Sequence, residues 1–116
     1  LLLTARRGLV SCDVREHSED VSFSSQLALF RDANAVIAPH GAGLSNMVAC
    51  KPLTLVVECL VAGREINILY AVMAYKLRLR YIGHSVRQAR QDAPMSVSAD
   101  EVVRLVKTNL SPSPSP

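Results

Sequence analysis

Residues 35–46 read Ala-Val-Ile-Ala-Pro-His-Gly-Ala-Gly-Leu-Ser-Asn, and this stretch decides the fold that the sequence predicts. The apolar run 35–38 is typical of a buried strand, and Pro39 ends it. His40 follows, and two glycines flanking an alanine lead into an apolar-periodic segment that starts at Leu44. The stretch therefore predicts a strand, a tight glycine-rich turn and a helix start. Backbone N–H groups at such a turn can bind an anion, and the helix dipole favours negative charge there.

Predicted strands and helices alternate on both sides of this stretch. Upstream, we expect strands over 1–5 and 11–15 and then a helix over 23–32 that Ser22 caps. Downstream, we expect a helix over 44–50, a strand over 53–60, a helix over 65–76, a strand over 79–82 and a loop over 84–97. The alternation predicts an α/β fold, a Rossmann-like parallel sheet with helices on both faces and ligands beyond the carboxyl ends of the strands.

A last helix is predicted from the capping box that Ser98 and Glu101 form. Its expected buried face consists of four apolar side chains, Val102, Val103, Val106 and Leu110. A length of 116 residues suits one domain, which we place over 1–110. The Ser-Pro repeat over 111–116 is expected to be a disordered tail.

Composition narrows the classes of partner. The net charge is +3, and the basic residues are scattered rather than clustered with aromatics, so no nucleic-acid partner is expected. The charge is at least as consistent with a basic rim around a site for a phosphate-bearing small molecule. No apolar run approaches the ~18–20 residues that span a bilayer, so no membrane segment is expected in this chain. The three cysteines, Cys12, Cys50 and Cys59, lack metal-ligand spacing. Cys50 and Cys59 lie in apolar surroundings and are expected to be buried free thiols rather than disulfide partners.

A longer pattern of spaced residues resembles the family-61 glycosyltransferases. It reads Ser22-Phe23-x-x-Gln26-x-x-x-Phe30-x-x-Ala33-x-Ala35-Val36-Ile37-x-Pro39-His40-Gly41-Ala42-Gly43-Leu44-x-Asn46, followed by Val56-Val57-Glu58. The Arg6-Arg7-Gly8 run after the first strand also resembles the family, and the likeness covers most of 1–83. Two departures are a short 8–21 segment and the lack of an N-terminal half, which in the family normally supplies the acceptor site.

The resemblance implies the nucleotide-sugar-binding, C-terminal half of a two-domain GT-B enzyme. Such an enzyme transfers a sugar, with inversion, from a nucleotide-sugar donor, here expected to be UDP-linked, to a glycan or glycoprotein acceptor. It would work in the Golgi or endoplasmic reticulum lumen of a eukaryote, with a membrane-anchored parent protein. The catalytic base is expected outside this chain, with His40 a weaker candidate. A truncated or degenerate, non-catalytic nucleotide-binding module remains the alternative.

The residues expected to contact the donor lie near or just beyond the carboxyl ends of the predicted strands. They are Arg6, Arg7, His40, Gly41, Ala42, Gly43, Ser45, Asn46 and Glu58. Guanidinium groups and turn N–H groups would bind the diphosphate, whose leaving charge a catalyst must stabilise. Because the chain has no Asp-x-Asp pair, neither a metal nor another cofactor is expected.

Each donor-site residue also has a structural alternative. Gly41 and Gly43 would let the backbone approach the ligand closely, or would serve a turn that needs positive φ. Glu58 would accept hydrogen bonds from ribose hydroxyls, or would be a structural carboxylate paired with an arginine. Ser45 and Asn46 would contact phosphate, or would only cap the helix and hold the turn.

Overall fold

The computed structural model describes residues 2–5, 12–15, 22–63, 67–87 and 98–110. Five strands are described: β1 (Leu2–Ala5), β2 (Cys12–Arg15), β3 (Ala35–Pro39), β4 (Leu55–Val61) and β5 (Arg80–Val86). The described helices are α1 (Phe23–Asp32), α2 (Leu69–Lys76), α3 (Ala99–Leu110) and a 3₁₀ helix (Ala42–Ala49). None of the helices in these ranges is long and apolar enough to cross a membrane.

The strands form one sheet in the order β2-β1-β3-β4-β5. Strands β3, β4 and β5 are parallel, and helices cover both faces, which confirms the predicted α/β class and its Rossmann-like core. The expectation that the first two strands are also parallel is wrong, because β1 pairs antiparallel with both β2 and β3. Six residues separate β1 from β2. That is enough for an antiparallel connection, whereas a parallel crossover needs about a dozen.

The direction of β1 corrects one premise of the predicted site. Leu2 pairs with Val36 and Leu3 with Ala35, so β1 runs towards the edge where β3 begins. Its carboxyl end therefore lies at the opposite edge of the sheet from the end of β3. The two arginines that follow β1 in sequence, Arg6 and Arg7, lie outside the described residues.

Alternating side chains divide the core between the two faces of the sheet. Val36 and Val56 point to the face that α1, the 3₁₀ helix and α2 cover, where Phe30 is buried. Leu55 and Val57 point to the other face, which α3 covers. Apolar residues thus alternate between two covered faces, as expected for a sheet buried on both sides.

Several boundaries differ from the prediction. Helix α2 begins at Leu69 rather than at 65, and β5 continues to Val86, which shortens the expected loop; 88–97 lie outside the described residues. In α3 the Glu101 N–H binds Ser98 Oγ at 3.4 Å, which is the Ser98 half of the predicted capping box, while the Glu101 carboxylate lies 3.2 Å from His84 Nε2. The prediction that Val103 is buried is wrong, because 48% of this residue is exposed.

The two cysteines with described side chains, Cys50 and Cys59, are free, as predicted. Burial raises the pKa of Cys50 to about 11 and also raises the pKa of Cys59. Both are therefore protonated thiols near neutral pH, and Cys59 packs as part of the core under α3.

Candidate functional site

His40 lies where the parallel strands end. Its backbone N–H donates to the carbonyl of Cys59 at 3.3 Å, which extends the β3–β4 ladder by one residue. The preceding Pro39 pairs with Cys59 in the strand register. His40 is thereby placed at the carboxyl edge of the sheet, where ligands bind in open α/β folds. Its side chain is 39% exposed, so the imidazole has access to solvent.

The imidazole of His40 is held by a buried carboxylate on the next strand. His40 Nδ1 lies 2.6 Å from Glu58 Oε2, and Glu58 is completely buried. Glu58 pairs with Ala38 in the register and therefore faces the side of the sheet that α1 and α2 cover. Because a carboxylate only accepts, we assign the shared proton to Nδ1 of His40. Nε2 is then the ring nitrogen left for another partner.

The second oxygen of Glu58 is taken by a tyrosine from β5. The Tyr81 hydroxyl donates to Glu58 Oε1 at 2.6 Å. Gly83 pairs with Glu58 and lies beside this contact; a Cβ there would be in ordinary van der Waals contact with the Tyr81 hydroxyl oxygen, at 3.5 Å. Burial and the hydrogen bond to Glu58 raise the pKa of Tyr81, so the hydroxyl remains a donor. Both oxygens of the buried carboxylate are thus satisfied.

An aromatic ring packs beside the imidazole. The centroid of the Tyr70 ring lies 5.1 Å from that of His40, with 60° between the ring planes. Tyr70 is itself buried at the start of α2, so it forms a fixed wall. The hydrogen bond at Nδ1 and this ring together restrict the orientation of the imidazole.

The chain after His40 turns directly into the 3₁₀ helix, which begins at Ala42 rather than near Leu44. Gly41 has φ 170°, an extended conformation, and Gly43 lies inside the first helical turn, so a turn that needs positive φ is not what the structure shows. A Cβ on Gly41 would meet no heavy atom within 4 Å, so the space in front of it is open. The first N–H groups of such a helix have no intrahelical acceptor and are suited to an anion.

Two polar residues of this helix were predicted to contact the donor. Asn46 Nδ2 donates to Gln26 Oε1 at 3.3 Å, which joins the helix to α1. Ser45 is exposed. This contact links Asn46 to a side chain of α1, whereas the structural alternative had it hold the turn by a bond to the turn backbone. Contact of Asn46 and Ser45 with phosphate stays a prediction.

For Glu58, the arrangement favours the structural alternative, with His40 and Tyr81 in place of an arginine as partners. Contact of this carboxylate with ribose stays a prediction and would require one of its two hydrogen bonds to break. Contacts of Arg6 and Arg7 with phosphate also stay a prediction, since neither residue is described.

Tyr70 and Tyr81 are the site residues that the sequence analysis missed. Each lies in a predicted element, and nothing in its local pattern distinguishes it from a core aromatic. The sequence spacing gives one signal for Tyr81: it is two residues from Gly83, so the two residues occupy the same face of one strand. The sequence alone does not show how β4 and β5 pair, so this spacing cannot show that Tyr81 lies near Glu58.

No group of three or more His, Cys, Asp or Glu side chains that could hold a metal occurs within the described ranges. A cavity of about 200 Å³ lies at the opposite edge of the sheet, with Lys51 and Arg80 in its lining. Arg80 there donates to the carbonyls of Leu53 and Asn109, which fastens the turn before β4 and the end of α3. This cavity contains none of the predicted donor-site residues.

Comparison with known proteins points to the same class that the sequence pattern suggests. Residues 11–57 match the model of the family Glycosyltransferase 61. The match includes the helix α1, the strand β3 and the His40 turn, and it supports a glycosyltransferase of this family over 47 of the 116 residues. No curated protein and no solved structure matches the chain significantly.

Proposed function

We propose that this chain binds the nucleotide-sugar donor of an inverting glycosyltransferase, with a UDP-linked sugar as donor and a glycan or glycoprotein as acceptor. The observation that carries the proposal is the restrained, half-exposed His40 at the carboxyl edge of the parallel strands, inside the segment that matches the family model. The geometry fits a ligand whose anionic part lies at the start of the 3₁₀ helix.

The chemistry of transfer explains why such a site needs fixed donors. Breaking the bond between the anomeric carbon and the diphosphate oxygen leaves extra negative charge on the departing nucleoside diphosphate. Positioned N–H groups stabilise that charge without having to reorient during the reaction. The first N–H groups of the 3₁₀ helix are such donors, and His40 Nε2 becomes one when the imidazole is protonated. Cationic contacts from Arg6 and Arg7 are proposed from the family resemblance alone, because β1, which they follow, ends at the opposite edge of the sheet. The site is proposed to work without a metal.

The wider setting of the enzyme is proposed from the family resemblance. The chain would form one half of a GT-B architecture, with the acceptor site and the catalytic base on the other half. The enzyme would act in the Golgi or endoplasmic reticulum lumen.

Binding of the donor tests the proposal directly. UDP-N-acetylglucosamine and UDP-xylose are titrated into the protein while its melting temperature is recorded. A ligand that binds only the folded state stabilises it by about 2.7 kcal/mol at a hundred times its Kd. His40→Gln can still donate to Glu58 but removes the ring nitrogen that faces the ligand. It should weaken binding about tenfold, the effect of one hydrogen bond to a charged group.

His84→Gln is the matched control. His84 lies in β5 on the face that α3 covers, 3.2 Å from Glu101, so this variant should bind the donor as the unaltered chain does. The absence of any thermal shift at millimolar concentrations of all donors contradicts the proposal. Donor hydrolysis or transfer then distinguishes an active enzyme from a non-catalytic binding module.

A further inference from the structure

The hydrogen bond at Nδ1 has a chemical consequence for the other nitrogen of His40. With Nδ1–H donated to Glu58, a neutral imidazole presents only a lone pair at Nε2. A lone pair cannot donate to a phosphate oxygen and would be repelled by it. Only the imidazolium has N–H groups on both nitrogens, one for Glu58 and one for the ligand.

We propose that Glu58, oriented by Tyr81, is a positioning residue that makes donor binding depend on a proton taken up by His40. The inference rests on the proposed donor site. In the bound state the imidazolium would lie between two anions, the buried carboxylate and the diphosphate. If Glu58 did not fix the Nδ1–H tautomer, a neutral His40 could donate from Nε2 and no proton would be needed.

The described groups that contact His40 or its partner Glu58 include no second histidine. Within the part of the chain that the structure describes, the ionisable side chains in contact with His40 or its partner are Glu58 from β4, Tyr81 from β5 and Tyr70 from α2. The residues on α1 and the 3₁₀ helix that face one another beside the turn, Gln26 and Asn46, are uncharged. Among these residue types, histidine alone ordinarily changes charge near neutral pH.

Glu58→Gln is predicted to reverse the tautomer. Tyr81 would donate to the carbonyl oxygen of the new amide, as it does to Oε1 of the carboxylate. The amide N–H₂ would then face His40 and donate to Nδ1, which must become the acceptor. Nε2 would carry the proton in the neutral ring, and donor binding would no longer need proton uptake.

Two measurements test the proposal. Long-range ¹H–¹⁵N correlation spectra of the ligand-free protein at about pH 8 report the tautomer of each neutral histidine ring. We expect His40 to be protonated at Nδ1 in the unaltered chain and at Nε2 in Glu58→Gln, with His84 unchanged as an internal control. This measurement does not depend on any ligand.

The second measurement is the Kd for UDP-N-acetylglucosamine between about pH 5.5 and about pH 8. This nucleotide sugar has no phosphate that titrates in the range. As His40 loses its proton, the Kd of the unaltered chain should rise towards about tenfold per pH unit, the limit for one linked proton. The Kd of Glu58→Gln should stay nearly constant, and His84→Gln should follow the unaltered chain.

An Nε2–H tautomer in the unaltered chain overturns the inference, and so does a Kd that does not change with pH. Equal pH dependence in Glu58→Gln also overturns it. If Glu58→Gln does not fold, proton uptake is measured on the unaltered chain by calorimetry in two buffers of different ionisation enthalpy, and zero uptake overturns it. Failure to bind at any pH contradicts the proposed function as well, whereas pH-independent binding contradicts this inference alone.

Discussion

At the scale of single residues, the stability of the site depends on keeping the buried Glu58 carboxylate hydrogen-bonded. The carboxylate is removed from water, and it has one donor on each oxygen. Loss of a partner leaves part of a buried charge unsatisfied, which is more costly than the mean contribution of a hydrogen bond. The residues that orient His40 therefore also contribute to folding stability.

Tyr81→Phe should lower the free energy of unfolding by about 1–2 kcal/mol, because Glu58 Oε1 loses its donor while the ring still packs. Urea denaturation of the purified protein measures the change. Tyr75→Phe removes the same hydroxyl from a residue that is 83% exposed, and it should have no measurable effect. Equal losses in the two variants would show that the buried hydroxyl contributes nothing.

The sequence placed His40 and Glu58 at the same edge, since both follow apolar runs that become parallel strands. It could not show that they touch, because the distance depends on which residues of β3 and β4 pair. The structure pairs Ala38 with Glu58, and that register brings the imidazole within 2.6 Å of the carboxylate. Proximity along a sheet edge was thus predictable, and the hydrogen bond was not.

At the scale of elements, local sequence signals explain why the bounds of α1 could be predicted correctly. Ser22 accepts from the N–H of Ser25, and the predicted bounds of this helix agree with those observed. The 3₁₀ helix has no comparable cap, because its N-cap residue, Gly41, has no side chain that could accept a hydrogen bond. Its start and its type therefore depend on contacts with α1, which the local sequence does not specify.

The turn before β4 stores backbone strain. Residues 51–54 form a turn in which the Thr54 N–H binds the carbonyl of Lys51 at 3.2 Å. Pro52 takes the second position, and Leu53 takes the third with φ 68°, a conformation that glycine and asparagine adopt more easily. The Leu53 side chain is 60% exposed, so little packing offsets the strain.

Leu53→Asn should raise the free energy of unfolding by about 1 kcal/mol by relieving this strain. Leu53→Ala is the control, since it removes the same exposed surface and retains a side chain that disfavours positive φ. Thermal unfolding followed by circular dichroism compares the two. Similar stabilities for both variants would indicate that the left-handed conformation costs little here.

At the scale of the whole molecule, the two faces of the sheet differ in the side chains that they bury. The face covered by α1, the 3₁₀ helix and α2 contains the His40–Glu58–Tyr81 contacts. The other face is covered, among the described elements, by α3, with Val106 as its buried side chain. Changes to α3 should therefore alter stability without altering the site.

Val106→Ala should destabilise the protein by about 2 kcal/mol and speed hydrogen exchange in α3, because it leaves a cavity against β4 and β5. Val103→Ala makes the same chemical change on the exposed side of the same helix and should be nearly neutral. Exchange measured by mass spectrometry locates the effect. Faster exchange around His40 in Val106→Ala would show that the two faces are coupled.

The contacts from β3 to β4 and from β4 to β5 also bear on how the chain finds its fold. Glu58 joins its partners only if β4 is aligned correctly with both neighbouring strands. A slip of β4 by one residue would turn the Glu58 carboxylate to the α3 face. There it would lie among apolar groups without its hydrogen-bond donors. The hydrogen bonds among His40, Glu58 and Tyr81 thus make a misaligned sheet less stable, whereas the apolar residues alone would tolerate the misalignment. These three residues therefore help to specify the strand register on which their own contacts depend.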